Sequence, residues 1–203
     1  MTTFLLIRHA TYDHVGRVMA GRSTGVHLND AGLAQARRVA ELIQPIPIDA
    51  IVSSPLPRAL ETAAPLAERR GLSVEVLEPL TEIEFGSWTG RSIDELRSES
   101  AWTRFNSLRS MAPIPGGELM LSVQARAVTV LEGLRIRYPE GTCAVVSHGD
   151  VIRSLVAHCA GIPLDLFHRL EIAPASVSVV VVAESWIGVR CVNLTEDLAA
   201  LLV

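Results

Sequence analysis

Short apolar runs alternate with helical repeats along this chain, and three of the runs stop abruptly on polar or charged side chains. Phe4-Leu5-Leu6-Ile7 stops on Arg8-His9, Ile51-Val52 on Ser53-Ser54, and Ala144-Val145-Val146 on Ser147-His148. A short continuous apolar run fits a strand covered on both faces, as in a parallel sheet flanked by helices. Strands alternating with helices imply parallel βαβ units. The predicted fold is α/β, a three-layer α/β/α sandwich with a mostly parallel sheet, in which the final run adds an antiparallel edge strand. Open sheets of this kind bind ligands beyond the carboxyl ends of their strands. The pattern therefore sends Arg8, His9, Arg58 and His148 toward one edge of the sheet.

The spacing of apolar residues predicts the elements. Residues 3–8 read as a strand. Asn29 or Asp30 caps a helix with Leu33, Ala36, Ala40 and Ile43 inward, ended by Pro45 and Pro47. Residues 50–53 form a strand. Pro57 opens a helix over 57–70 with Leu60, Ala63, Ala64 and Ala67 on its inner face. Residues 73–77 form another strand. From Glu78 to about Leu119, prolines, glycines, aromatics and mixed charges replace clean periodicity, with short helices near 92–98 and 100–108. This stretch reads as a cap inserted over the site within one domain spanning 1–203. A long helix bearing Val123, Ala127, Val130, Leu131 and Leu134 ends before Pro139. A strand over 142–147, a helix over 150–160 and β-rich runs at 176–183 and 187–193 follow, and Thr195 caps a short terminal helix.

The residues at the strand ends suggest anion chemistry. A guanidinium suits phosphate recognition, and an imidazole can act as base or nucleophile. Arg58 falls in the first turn of its helix, where backbone N–H groups also favour an anion. The 203 residues are 49% hydrophobic, with a net charge of -4, which argues against general nucleic-acid binding. Cys143, Cys159 and Cys191 are odd in number and form no disulfide or metal spacing. His14, His27, His158 and His168 show no metal-ligand spacing either. The N-terminal run has no basic flank and is interrupted by Arg8. The longest apolar run is too short to span a bilayer, so a cytoplasmic protein without membrane contact is expected.

Five segments then occur in a familiar order: Arg8-His9-Ala10, Ser53-Ser54-Pro55 with Arg58, Leu80-Thr81-Glu82 before Phe85-Gly86, Pro115-Gly116-Gly117-Glu118, and Ser147-His148-Gly149. In these motifs the chain resembles the histidine phosphatase superfamily, the phosphoglycerate-mutase-like branch 1, from residue 3 to about 160. The resemblance implies that His9 is a nucleophile forming a phosphohistidine and that Glu82 is the general acid and base. Arg8 and Arg58 would hold the phosphoryl oxygens, with His148 donating a further bond as an imidazolium. Gly149, lacking a Cβ, permits close approach. A raised pKa for Glu82 would come from desolvation by Ile83, Phe85 and Trp88. No metal and no cofactor are implied. Glu84 reads as a group behind Glu82 or a further acid-base contributor.

The chain departs from the family pattern after the nucleophile. Ala10 replaces a common glycine, and the loop reads Thr11-Tyr12-Asp13-His14-Val15. With one residue deleted, Thr11 and His14 take the family's phosphate-contacting places; without a deletion, Tyr12 and Val15 do. Leu119 replaces a common serine. Arg17 and Arg22 are either solvated loop charges or contacts for a second anionic group on the substrate. The expected function is a metal-independent phosphomonoesterase for a small phosphorylated metabolite. The alternatives are a phosphoglycerate mutase, a phosphatase for phosphohistidine on proteins, which the inserted stretch argues against, and an inactive module that binds a phosphorylated ligand. An edge strand could pair two copies into a homodimer.

Overall fold

The computed structural model describes residues 1–195. Thr195, expected to cap a terminal helix, is the last of these, so that helix lies outside the described residues. The chain runs β1 (Thr2–Arg8), α1 (Asp30–Leu42), β2 (Ala50–Ser53), α2 (Pro57–Arg70) and β3 (Val74–Val76). It continues through α3 (Ile93–Leu96), α4 (Ser100–Ser107), α5 (Met120–Arg137), β4 (Thr142–Ser147), α6 (Gly149–Ala160), β5 (Val177–Val182) and β6 (Ile187–Leu194). Single-turn 3-10 segments at Glu78–Leu80 and Gly86–Trp88, and a longer one at Leu164–Arg169, carry no periodic sequence signal and were not foreseen.

Among the described residues the strands form one sheet in the order β3-β2-β4-β1-β5-β6. β1 to β4 pair in parallel, while β5 runs antiparallel to β1 and β6 antiparallel to β5. The antiparallel direction thus enters at β5, one strand earlier than the edge.

Both faces of the sheet are buried. Phe4, Leu6, Val52 and Val145 pack with Val123 and Leu131 of α5 and with Ile152 and Leu155 of α6. Leu5, Ile7, Ile51 and Val146 face the other way, onto Val39 and Ala40 of α1 and Ala59, Ala63 and Leu66 of α2. The period of two within β1 divides its side chains between these cores. Each fully buried branched aliphatic contributes about 1.5–3 kcal/mol by leaving water. Leu80, Ile83, Phe85, Trp88 and Phe105, from the stretch after β3, join the same core as Phe4 and Val145.

In α1, Ala36, Ala40 and Ile43 are buried as expected, while Leu33 is exposed and Gly32 and Val39 turn inward. Gly32 allows the approach, since a Cβ there would lie 2.0 Å from the Thr11 carbonyl oxygen. In α2, Ala64 is exposed and Leu60 half-buried, while Arg58, Ala59, Thr62, Ala63, Leu66 and Ala67 turn inward. That rotation brings the Arg58 side chain and the Thr62 hydroxyl to the end of β1.

Gly32→Ala separates helix propensity from packing. In an ordinary helix the change stabilises by up to about 1 kcal/mol. Here the clash with Thr11 should reverse the sign, costing about 1–3 kcal/mol as overpacking does. A melting temperature below that of the parent is expected by calorimetry, and a rise would contradict the close approach of α1.

Candidate active site

β1, β2 and β4 end side by side, and backbone bonds fix how far each projects. His9 N–H donates to the Ser147 carbonyl at 2.9 Å, and Ser54 N–H to the Val146 carbonyl at 2.9 Å. The Ser147 hydroxyl donates to the Leu80 carbonyl at 2.7 Å, tying the segment that carries Glu82 to the end of β4.

His9 is almost fully buried. Its Nδ1 lies 2.8 Å from the Ala10 carbonyl oxygen. A carbonyl can only accept, so Nδ1 carries the proton and Nε2 keeps a free lone pair. Among the described residues Nε2 has no hydrogen-bond partner. The Ala10 N–H in turn donates to the Thr62 hydroxyl at 2.9 Å, which donates to the Arg58 carbonyl at 2.7 Å. The residue whose carbonyl orients the His9 ring is therefore held by α2.

Arg8 Nη1 donates to the Ile172 carbonyl at 2.6 Å, and Arg58 Nη2 to the Gly21 carbonyl at 2.7 Å. Arg8 Nε, Arg58 Nε, Arg58 Nη1 and His148 Nδ1 are buried with no partner among the described residues. An unsatisfied buried donor costs about 1–3 kcal/mol, and more when charged. Three unpaired guanidinium donors and an imidazole nitrogen suit the oxygens of a tetrahedral dianion. Gly149 opens α6 against Arg8, and a Cβ there would lie 3.2 Å from the Arg8 Cζ. Arg8, Arg58, Glu82 and Gly149 line one cavity of about 310 Å³, within the small-metabolite range.

His148 is fully buried, with its ring centroid 5.2 Å from that of His9. Its Nε2 lies 2.7 Å from the Ser54 hydroxyl, and its Nδ1 faces Glu82 Oε2 at 4.0 Å. Burial, together with Arg58, His9 and Arg8, holds the His148 pKa well below the usual histidine value. That direction disfavours the imidazolium expected of His148 in the free site. Burial, Arg8 and Arg58 hold His9 neutral in the same way. Glu82 moves in the expected direction. Burial raises its pKa most, and the nearby Asp150 carboxylate adds to this.

The remaining candidates fall outside the cavity. Thr11 is half-buried, and its N–H donates to Gln35 Oε1 at 2.9 Å. His14 is exposed at φ 67°, turning the chain away. Arg22 is occupied elsewhere, donating through Nε to the Glu82 carbonyl at 3.0 Å and through Nη2 to Glu118 Oε2 at 2.7 Å. Glu84 accepts from the Gly86 N–H at 3.3 Å and lies 3.8 Å from Arg22, behind Glu82. Arg17 is exposed and does not line the cavity. Tyr12, the alternative without a deletion, does line it, with its ring 5.6 Å from the Arg58 Cζ and 5.6 Å from the His9 ring.

Sequence reasoning gave no role to Ser54, Thr62, Asp150, Arg153 or Arg109. Ser54 sits within the Ser53-Ser54-Pro55 motif, and Thr62 falls one turn after Arg58 on the same helix. Arg109, in the aperiodic stretch, carries no signal at all.

An α/β protein with buried arginine and imidazole donors at its strand ends belongs to the class that handles phosphoryl groups. The chain belongs to the histidine phosphatase superfamily (branch 1), whose family model matches residues 4–195. It is 30% identical over its whole length to phosphoserine phosphatase 1 of Hydrogenobacter thermophilus, covering 97% of that protein. It is 31% identical to the probable phosphoglycerate mutase GpmB of an Enterobacter species, over 93% of this chain and 89% of that one. The mycobacterial glucosyl-3-phosphoglycerate phosphatase solved with VO3 superposes with a TM-score of 0.86 at 28% identity, over 95% of this chain and 99% of that one. Family and fold together make the chain a phosphoric monoester hydrolase of the histidine phosphatase type.

The protonation states have a measurable consequence. His9 and His148 should stay neutral through pH 6.5 in imidazole nitrogen NMR spectra, with His9 protonated on Nδ1. Because both folded pKa values lie below the unfolded value, the unfolded chain binds more protons as the pH falls through 6.5. These two groups should therefore lower stability on the acid side, which denaturant melts against pH will read. An imidazolium signal at pH 7 from either residue would contradict this assignment.

Proposed function

We propose that the chain hydrolyses a small phosphorylated metabolite through a phosphohistidine formed on His9. The observation that carries this reading is the His9 Nδ1–Ala10 carbonyl bond, which leaves Nε2 as a free nucleophile beside the half-buried Arg8 and the buried Arg58. Arg8 and Arg58 bind the phosphoryl oxygens, and their charge grows in effect as negative charge develops in a dry site. The Ser54 hydroxyl donates to His148 Nε2, so that the neutral ring offers Nδ1–H to a further oxygen.

His9 Nε2 attacks phosphorus as the ester oxygen leaves on the opposite side. Glu82, whose pKa burial raises toward the protonated form, delivers its proton to that oxygen. The resulting carboxylate then takes a proton from a water molecule. The oxygen of that water attacks phosphorus, the N–P bond breaks, inorganic phosphate forms and Glu82 is reprotonated. The two guanidiniums supply the positive charge that the transferred group requires, so the reaction proceeds without a metal. Residues 78–119 serve as a cap within a single domain, since Phe85, Ile93, Trp102 and Arg109 line the cavity opposite the strand ends.

A net charge of -4 favours a small-molecule substrate over nucleic acid. The three free cysteines fit the reducing cytoplasm. No helix among the described residues is long and apolar enough to cross a membrane. The exposed edge strand β6 is the surface through which two copies would pair. Phosphoryl transfer between metabolites, as in a mutase, is the second reading, favoured by the GpmB relative.

His9→Ala should lower phosphate release from p-nitrophenyl phosphate, with chelator present, by about 10³-fold or more. Near-normal turnover would overturn the phosphohistidine reading. Glu82→Gln should slow alkyl phosphates by about 10²–10⁴-fold and activated aryl phosphates far less, because only the former need a protonated leaving group. Equal losses would remove Glu82 from that role. Recovery of a transferred phosphoryl group in place of inorganic phosphate would favour the mutase.

A further inference from the structure

A bulge interrupts the edge strand β6 at the end of the sheet where the site lies. Ile7 of β1 faces Val177 of β5, and Val177 faces Leu194 of β6. The next aligned pair is Val179 with Cys191, so Ser178 alone stands opposite both Val192 and Asn193. Asn193 sits in the left-handed region at φ 59°. Asparagine enters that region more readily than most residues with a Cβ. A bulge near a functional site re-aims a side chain. Here the Asn193 N–H donates to the Ser178 hydroxyl at 3.1 Å, and the residue is 9% exposed.

The carboxamide meets the loop that precedes β5. The Ala173 N–H donates to Asn193 Oδ1 at 2.6 Å. A backbone N–H can only donate, so the amide oxygen faces it. The Ile172 carbonyl belongs to the same peptide group, and it accepts from Arg8 Nη1 at 2.6 Å. The N–H and C=O of a trans peptide point in opposite directions. This one peptide therefore bridges Asn193 on one side and the Arg8 guanidinium on the other. Among the described residues it makes these two hydrogen bonds and no other. Donation through the N–H also polarises the carbonyl and strengthens it as an acceptor.

The other bonds of this loop act on main chain alone. The Ala175 N–H donates to the Arg8 and His9 carbonyls, each at 3.2 Å, and the Arg8 N–H donates to the Ser176 carbonyl at 3.1 Å. None of them touches the guanidinium. Among the described residues the bond to Ile172 is the one hydrogen bond that the Arg8 guanidinium makes, and Arg8 Nε is buried without a partner. The orientation of the Ile172–Ala173 peptide thus sets where the remaining Arg8 donors point. Asn193 itself does not line the cavity.

We propose that Asn193 is a positioning residue for Arg8: the bulge in β6 aims its carboxamide at the Ile172–Ala173 peptide, which holds the guanidinium with its unpaired donors toward the phosphoryl site. The role given to Arg8 rests on the phosphatase reading above.

The test uses Asn193→Gly, which keeps the left-handed backbone and deletes the acceptor, and Asn193→Asp, which keeps both. The first readout is the nitrogen NMR signals of the Arg8 guanidinium, assigned by their loss in Arg8→Met. A held guanidinium gives separate Nη1 and Nη2 signals, whereas rotation about the Nε–Cζ bond averages them. The signals should be separate in the parent and in Asn193→Asp, and averaged in Asn193→Gly. Calorimetry with inorganic phosphate supplies the second readout. Asn193→Gly should raise the phosphate Kd about tenfold, as misplacement of a binding group does. In the Arg8→Met background the same change should raise it by less than about twofold, because the two residues act through one contact. Averaged signals in the parent, separate signals in Asn193→Gly, or equal losses of phosphate affinity in both backgrounds would overturn the assignment. If Asn193→Gly does not fold, Ala173→Pro removes the donor instead. Position 173 already precedes Pro174, which favours an extended backbone there, and the Arg8 signals should average in the same way. If the parent neither binds phosphate nor hydrolyses p-nitrophenyl phosphate, the phosphatase reading fails, and the guanidinium signals alone decide the role of Asn193.

Discussion

Positive charge held out of water organises this molecule. Arg58 is 1% exposed, and Arg8 lies beside two buried imidazoles. Desolvation and mutual repulsion lower the pKa of those imidazoles. A neutral imidazole keeps a lone pair that a protonated one lacks. The crowding that favours this neutral form also leaves guanidinium donors without partners. The cations are stabilised in the free protein by backbone carbonyls of Ile172 and Gly21, which come from loops distant in sequence. The two guanidiniums are thus tied to chain segments that no local spacing brings to the strand ends.

Glu82 depends on a second set of charges. Its carbonyl accepts from Arg22 Nε at 3.0 Å and from Arg126 Nη2 at 3.2 Å, and Glu118 bridges both guanidiniums. Glu118 also accepts from the Glu84 N–H at 3.0 Å. This network fixes the main chain around Glu82 while leaving its carboxyl in the cavity. Gly86, at φ 49°, brings the same segment against residues 115–116, where a Cβ would lie 2.3 Å from the Pro115 carbonyl oxygen. The Pro-Gly-Gly-Glu motif is therefore the wall against which the acid-bearing segment rests.

Much of the site was legible before any coordinates. Arg8, His9, Arg58, Glu82 and Gly149 are together, with His148 beside them, because strand ends and helix starts are encoded locally by apolar runs, Pro57 and short polar breaks. The loop after the nucleophile was not legible. Thr11 and His14 could be aligned to a phosphate role only by assuming a deletion, and the structure puts Tyr12 at the cavity instead. Leu33 in α1 and Leu60 and Ala64 in α2 depart from the expected inner faces. Hydropathy ranks Leu33 and Leu60 above glycine and threonine, whereas packing selected Gly32 and Thr62 for their small size and hydrogen bonding.

The sequence by itself determined the alternation of strands and helices, the parallel pairing of β1 to β4 and the order in which functional residues reach the edge of the sheet. These follow from periods of two and 3.6 residues, which are properties of neighbouring positions. Tertiary structure alone decided that the Ala10 carbonyl orients His9, that burial beside Arg58, His9 and Arg8 lowers the His148 pKa, that Arg22 is withdrawn from the cavity and that Arg109 and Arg153 converge on Asp150. Arg109 and Asp150 stand 41 positions apart. Pairing and desolvation at that separation depend on which surfaces meet in space, and no local spacing records it.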